Sequence, residues 1–443
     1  MSGSKGSSYG RGAAILSVGI GATGLITFAY FSLASHALPE AEYGRITLLW
    51  SAVFITVSVL YRPVEQLLSR TIADHDARGV KGTEHLRVAA TIQLGLGLLF
   101  VVVALALRGP IQDDLFAGSS TLYWILVVAV LAYAASYFAR GYLAGHRLFP
   151  LYGGLVLMEA TSRCLFALAV AVGIAEGQTA VALGMAAAPI VSLAVVPPAL
   201  ALRLDRERSE VVDPADAADP GQLDAAARDE PAAREPEFTL ARGTGFAAAV
   251  LVVMLCEQTF LNAGPLLVKA TAPVGGAALA GFAFNVLLIA RAPLQLFQAV
   301  QTSILPHLTR ARAGGERDEF SRSVNVTLTA IAGFAGIVAL VMLVAGPTVM
   351  DVLFGGNFDY DRVGLVLVSL GMGLYLSAAT LNQALLAHAK AGQSATCWAA
   401  CAITFVLFLL LADFDDRVLQ VEVAFVAAAA LLAGSLYALY SRA

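Results

Sequence analysis

The stretch Tyr43–Ser69, YGRITLLWSAVFITVSVLYRPVEQLLS, is long and apolar enough to cross a bilayer, yet it holds an arginine, Arg62, with Pro63 directly after it. A cation inside a spanning helix costs at least a few kcal/mol, so a chain usually keeps one for function. The run Ala277–Pro306 repeats the arrangement with Arg291-Ala292-Pro293. Working outward from these two, apolar runs fall near 13–35, 45–69, 87–107, 121–143, 151–174, 180–202, 243–268, 278–304, 323–345, 362–387, 393–412 and 418–440. At 1.5 Å per residue each covers the roughly 30 Å of hydrocarbon in a membrane. The expectation is an all-α polytopic membrane protein of twelve transmembrane helices, the arginines lying on the second helix of each set of six.

Composition agrees. Of 443 residues, 58% are hydrophobic and 14% charged, and the mean hydropathy is +0.75. Soluble chains carry about 25% charged residues, so one large soluble core is excluded. No secretory leader is read at the start: Met1–Tyr9 is polar, and Ala13–Ser35 is too long for the apolar part of a signal peptide. Cys164, Cys256, Cys397 and Cys401 lie within apolar runs without histidine or carboxylate at ligand spacing, which favours packing over metal or redox chemistry.

The basic residues predict orientation. With a cytoplasmic N-terminus, Arg45, Arg108, Lys269, Arg362 and Arg417 fall outside, and Arg62, Arg163 and Arg291 fall within spans. The other 20 of the 28 Lys and Arg, Arg140 among them, fall on the cytoplasmic side. This bias predicts both termini in the cytoplasm of a plasma (inner) membrane protein. Asp205–Glu237 is rich in Asp, Glu, Ala and Pro and cannot bury enough apolar surface to fold alone. The expected organisation is therefore a lobe over 1–204, a disordered acidic linker over 205–238 and a second lobe over 239–443. A flexible tether is the simpler reading of the linker, and a docking segment for a partner enzyme is the alternative.

Six helices per lobe means both insert the same way round, a parallel repeat about an axis normal to the membrane. Arg140-Gly-Tyr-Leu-Ala-Gly-His146 matches Asn382-Gln-Ala-Leu-Leu-Ala-His388 at the same place in the second half. Polar stripes support the pairing. Arg62, Glu65, Gln66 and Ser69 share a face of helix 2; Arg291, Gln295 and Gln298 share a face of helix 8, with Gln301 at its edge. Such stripes must face protein or water, and a hydrated space between the lobes is the expected setting. An arginine there suits bidentate contact with phosphate.

Helix 7 carries Glu257, Gln258 and Asn262, candidates for proton or Na⁺ coupling, against a salt bridge to another span. Glu159 and Arg163, at i and i+4 on helix 5, read as a self-neutralised pair. Asn285, Asn382 and Gln383 read as interhelical hydrogen-bonding residues, and His146 and His388 as helix-end caps.

The stretch Leu38-Pro39-Glu40-Ala41-Glu42-Tyr43-Gly44-Arg45, leading into helix 2, resembles the corresponding motif of Wzx-type polysaccharide-biosynthesis flippases. These belong to the multidrug/oligosaccharidyl-lipid/polysaccharide (MOP) exporter superfamily. Arg291–Arg310, RAPLQLFQAVQTSILPHLTR, is similar to that superfamily's helix 8 and following loop. The resemblance implies two six-helix lobes around a central cavity lined by helices 1, 2, 7 and 8. It also implies alternating access, with a polyprenyl-diphosphate-linked sugar or oligosaccharide moved from the cytoplasmic to the outer leaflet. Arg62 and Arg291 would hold the diphosphate, Glu65 and Gln66 are further substrate-binding candidates beside Arg62, and Gln295, Gln298 and Gln301 would meet sugar hydroxyls. No cofactor is implied beyond H⁺ or Na⁺ coupling, and the partners are the lipid-linked glycan, membrane lipids and glycan-assembly enzymes, with no nucleic acid. The chain departs from some relatives in its uncharged helix 1, its acidic linker and its twelve rather than fourteen spans.

Two other functions compete. One is a MATE-like cation-coupled antiporter of small molecules, against which cavity arginines argue. The other is a membrane glycosyltransferase or polymerase using Asp113-Asp114 or Asp413, Asp415 and Asp416, which sit in short loops without a companion domain. The expectation is therefore a transporter and not an enzyme.

Overall fold

The computed structural model describes residues 3–78, 82–198, 201, 240–272, 275–289, 317–356, 358–388 and 390–442. The described residues are almost wholly helical. In the first half they form α1 (Gly3–Ala37), α2 (Glu40–Leu60), α3 (Arg62–Arg78), α4 (Glu84–Ala106), a π-helical turn (Pro110–Leu115), α5 (Ser120–Gly145), α6 (Phe149–Ala171) and α7 (Gly177–Ser192). The second half has α8 (Leu240–Thr271) and α9 (Gly276–Ile289). It continues with α10 (Arg317–Phe354), α11 (Arg362–Ala387), α12 (Ala391–Leu411) and α13 (Arg417–Tyr440).

Ten of the described helical stretches are long and apolar enough to cross a membrane, with α2 and α3 forming one, Glu40–His75. α1 covers the first expected span, and α9 covers the start of the eighth. Twelve spans are thus accounted for, the eighth in part.

Local sequence sets the helix ends. Ser119 accepts from the Leu122 amide, Asp361 from Val363 and Gly364, and Asp416 from Val418 and Leu419. Each satisfies amides that the first turn leaves open. His146 and His388 occupy the C-cap positions of α5 and α11. The break between α2 and α3 falls at Tyr61, at φ −108° and ψ −26°. Its cause is Pro63, which has no N–H for the Val59 carbonyl.

In the first lobe α1 packs on α6, α3 on α5, and α7 on α5 and α6. In the second, α11 packs on α10 and α13, and α12 on α8 and α13. α4 and α10 are the least covered spans and expose Leu94, Leu98, Ile337 and Val344, as peripheral helices facing lipid do. Between lobes, α2 packs along α8, and α1 touches α10.

Candidate functional site

The first lobe holds a buried charge cluster. On α5, Tyr133, Ser136, Tyr137 and Arg140 recur at i, i+3, i+4 and i+7 and turn one polar face toward α6. Glu159 of α6 takes the centre, 3% exposed. It accepts hydrogen bonds from Tyr133 (2.7 Å), Ser136 (3.3 Å) and the Arg140 guanidinium. Arg163, also 3% exposed, donates to the Tyr133 hydroxyl at 2.7 Å and lies 3.6 Å from Glu159. Its guanidinium sits over Trp50 of α2, 4.7 Å from the ring centre, and Arg140 sits over Tyr137 at 4.6 Å.

This revises two expectations. Glu159 and Arg163 are not a self-contained pair, because Glu159 serves Arg140 as well. Arg140 is not a cytoplasmic loop residue but a partly buried member of α5. The signal that would have found it is the α5 stripe, which has the spacing recognised on helix 2.

Arg62 differs from both. Among the described residues it makes no ion pair and no side-chain hydrogen bond. Its charge interacts at longer range with Tyr137, Glu257, Glu65 and Tyr152. Glu65, one turn further along α3, accepts from the Tyr152 hydroxyl at 2.9 Å and feels the charges of Arg140 and Arg62. The first lobe therefore sets three guanidiniums, Arg62, Arg140 and Arg163, against two carboxylates, Glu65 and Glu159. Glu257, from α8 of the other lobe, interacts with Arg62.

Other site candidates divide. Gln66 is exposed. Asn262 donates to the Gln258 side-chain carbonyl at 3.0 Å, so these two amides engage each other along α8. Arg291, Gln295, Gln298 and Gln301 lie outside the described residues. Asn382 accepts from Ser394 at 2.6 Å, joining α11 to α12 as an interhelical contact. Asp416 caps α13 and Asp413 pairs with Arg417 at 3.2 Å, giving both loop carboxylates structural work. All four cysteines are free, and no cluster of three or more His, Cys, Asp or Glu able to hold a metal occurs among the described residues.

At one end of the bundle the lobes are sealed together, through residues of which the sequence alone marks Asn285 and, within the motif Leu38–Arg45, Tyr43 and Gly44. Tyr43 of α2 donates to the Asn285 side-chain carbonyl of α9, and the Asn285 amide donates to the Tyr360 hydroxyl at 3.1 Å. The Ser35 hydroxyl donates to the Phe354 carbonyl. Phe31 packs on Phe284 at 4.5 Å between ring centres, and Phe28 on Phe354 at 5.3 Å. The backbones meet at Gly44, where a Cβ would lie 1.7 Å from the Ala277 carbonyl oxygen. Gly281 faces Gly44 in the same contact. Arg62 lies about 28 Å along the helix from Tyr43, far from this seal.

No family model and no curated protein matches the sequence. Solved structures match in fold. The eukaryotic MATE transporter AtDTX14 superposes with a TM-score of 0.63 at 13% identity, covering 98% of this chain and 96% of that one. The Vibrio cholerae MATE transporter VcmN in the bent form gives 0.55 at 15%, covering 98% and 97%. A MOP superfamily transporter from Pyrococcus furiosus, described as having a binding pocket whose reverse polarity suggests a different function, gives 0.53 at 13%, covering 98% and 95%. The chain has the architecture of the MATE transporters of the MOP superfamily, a twelve-helix, two-lobed membrane fold.

Proposed function

We propose that this protein is a membrane transporter that flips a polyprenyl-diphosphate-linked sugar or oligosaccharide between leaflets by alternating access. The observation that carries the reading is the state of Arg62. Glu159 binds Arg140 and Arg163, whereas Arg62 has no ion-pair partner among the described residues. An intramembrane guanidinium with no ion-pair partner among the described residues is suited to an incoming anion, and its planar fork matches diphosphate oxygens. The seal at the far end supports a form that opens on the side of Arg62. With the positive-inside bias, that side is the cytoplasm, where lipid-linked sugars are assembled, and the protein resides in the plasma membrane with both termini cytoplasmic. Arg291 completes the headgroup site by repeat symmetry, and Gln295, Gln298 and Gln301 meet the sugar. Glu65 and Gln66 line the approach, and Glu257, with Gln258 and Asn262, couples the cycle to a cation.

The test is flipping of fluorescent lipid-linked glycan by the protein in liposomes. Loss of flipping in the Arg62→Ala/Arg291→Ala double variant is expected; undiminished flipping would overturn the assignment. A second reading, a MATE-like antiporter of small molecules, is favoured by the solved structures that share the fold and by the carboxylate Glu257 at the lobe interface. Cation-driven efflux of a cationic drug, with no flipping of the glycan lipid, would establish it instead.

A further inference from the structure

A groove of about 580 Å³ runs between α4, α5 and the end of α7, on a flank of the first lobe. Its floor follows from the sequence. Ala90 of α4 and Ala134, Ala135 and Ala139 of α5 are too small to fill the space between the two helices. Gln93, 5% exposed, closes the deep end and donates to the Ala134 carbonyl at 2.7 Å. At the other end Leu86 and Tyr142 pack in one apolar cluster, and Val196 follows the 3₁₀ turn Leu193–Val195 that ends α7.

Every lining residue except Gln93 and Tyr142 is apolar. Water finds no set of polar partners in such a space, whereas hydrocarbon fills it. From Leu131 to Leu143 the groove follows α5 for about 18 Å, close to the depth of one leaflet. The positive-inside bias places its Tyr142 end at the cytoplasmic face, a level where tyrosines gather.

That end carries two cations. Arg87 directly follows Leu86, and Arg147 lies four residues beyond Leu143; both are exposed. Leu148, next to Arg147, packs with Leu143 and Val195, which holds this corner against the groove. Neither guanidinium has an ion pair or side-chain hydrogen bond among the described residues. Glu84, one turn before Arg87, is exposed and pairs with neither, and Glu159 is spent on Arg140 and Arg163. Arg147 has φ +57°, at the position after a helix C-cap where glycine is the usual residue. The chain thus keeps a cation where its backbone favours glycine.

Basic groups at the cytoplasmic mouth of an apolar cleft between spans suit an acidic lipid headgroup. We propose that this groove binds an anionic phospholipid of the cytoplasmic leaflet, one chain lying along α5 and the phosphate held by Arg87 and Arg147. The site requires only that the chain lie in a bilayer and is independent of the cargo.

The experiment is native mass spectrometry of the purified full-length protein with phosphatidylglycerol or phosphatidylcholine of the same chains. Wild type should hold one phosphatidylglycerol roughly tenfold more tightly than phosphatidylcholine. Arg87→Gln/Arg147→Gly should lose the preference, and glycine suits the backbone at 147, so the fold is kept. Ala135→Trp, which fills the groove, should weaken both lipids. Equal binding of the two lipids by wild type, or an undiminished preference in the double variant, overturns the proposal. Displacement of the phosphatidylglycerol by an equimolar polyprenyl diphosphate also overturns it, in favour of a cargo tail. A phosphatidylglycerol with a diazirine in its chain locates the site. Cross-links within Leu131–Leu143 support it, and cross-links confined to other spans remove it.

Discussion

Glu159 and Arg62 show two ways for a residue to carry charge inside a membrane. Glu159 spends both oxygens on Tyr133, Ser136 and two arginines, so removing it strands two buried cations. Breaking such a cluster from one side costs roughly 3–5 kcal/mol. Glu159→Ala should lower stability by about that much in thermal or chemical unfolding. Arg140→Ala on top of it should add less than its own single cost, the signature of a shared network. Arg62→Ala breaks no pairing among the described residues and should leave Tm nearly unchanged while reducing binding of a diphosphate lipid at least tenfold. Equal Tm losses in Arg62→Ala and Arg140→Ala would show that Arg62 is structural. Arg62 was legible in the sequence because a lone cation in an apolar run is conspicuous. Arg140 was not, because it stands near a helix end where a cytoplasmic position is the default for arginine. Only the matching residues on α6 draw it into the span.

At the scale of the element, most described span ends were readable to within a few residues, since apolar length decides them, while Glu40–His75 and α10 run well past the apolar runs read at 45–69 and 323–345. What hydropathy does not record is the break at Tyr61 within one continuous span. Pro63 removes a backbone hydrogen bond there, a loss worth about 3 kcal/mol in a helix interior. Pro63→Ala should restore the bond and slow amide exchange from Val59 to Glu65. If the break serves motion of the lower half of the span, the same variant transports more slowly while being more stable. Faster exchange in Pro63→Ala would mean that packing of α3 on α5, rather than the proline, sets the bend.

For the whole molecule, the two lobes were legible from the even number of spans on either side of the acidic linker, but the end at which the lobes join was not. That is fixed by contacts between residues some 240 apart, such as Tyr43 and Asn285, and by the absence of a side chain at Gly44. Glycine matters here because the Ala277 carbonyl occupies the space a Cβ would need. Gly44→Val should therefore hold the seal apart. In a background without the four native cysteines, Asn285→Cys should react faster with a water-soluble maleimide when Gly44 is replaced. Unchanged labelling would mean that the lobes meet without relying on this contact.

The seal has one more property. Its described members, Ser35, Tyr43, Gly44, Gly281, Phe284, Asn285, Phe354 and Tyr360, are all uncharged. Moving one elementary charge through the full membrane potential is worth roughly 2.3 kcal/mol per 100 mV, so parting these groups does almost no electrical work. Voltage dependence of the cycle must then arise away from these groups, at charges within the spans such as Arg62 and Glu257. Energisation of the membrane would act on loading and unloading, while the uncharged seal opens and closes at the same rate in polarised and depolarised cells.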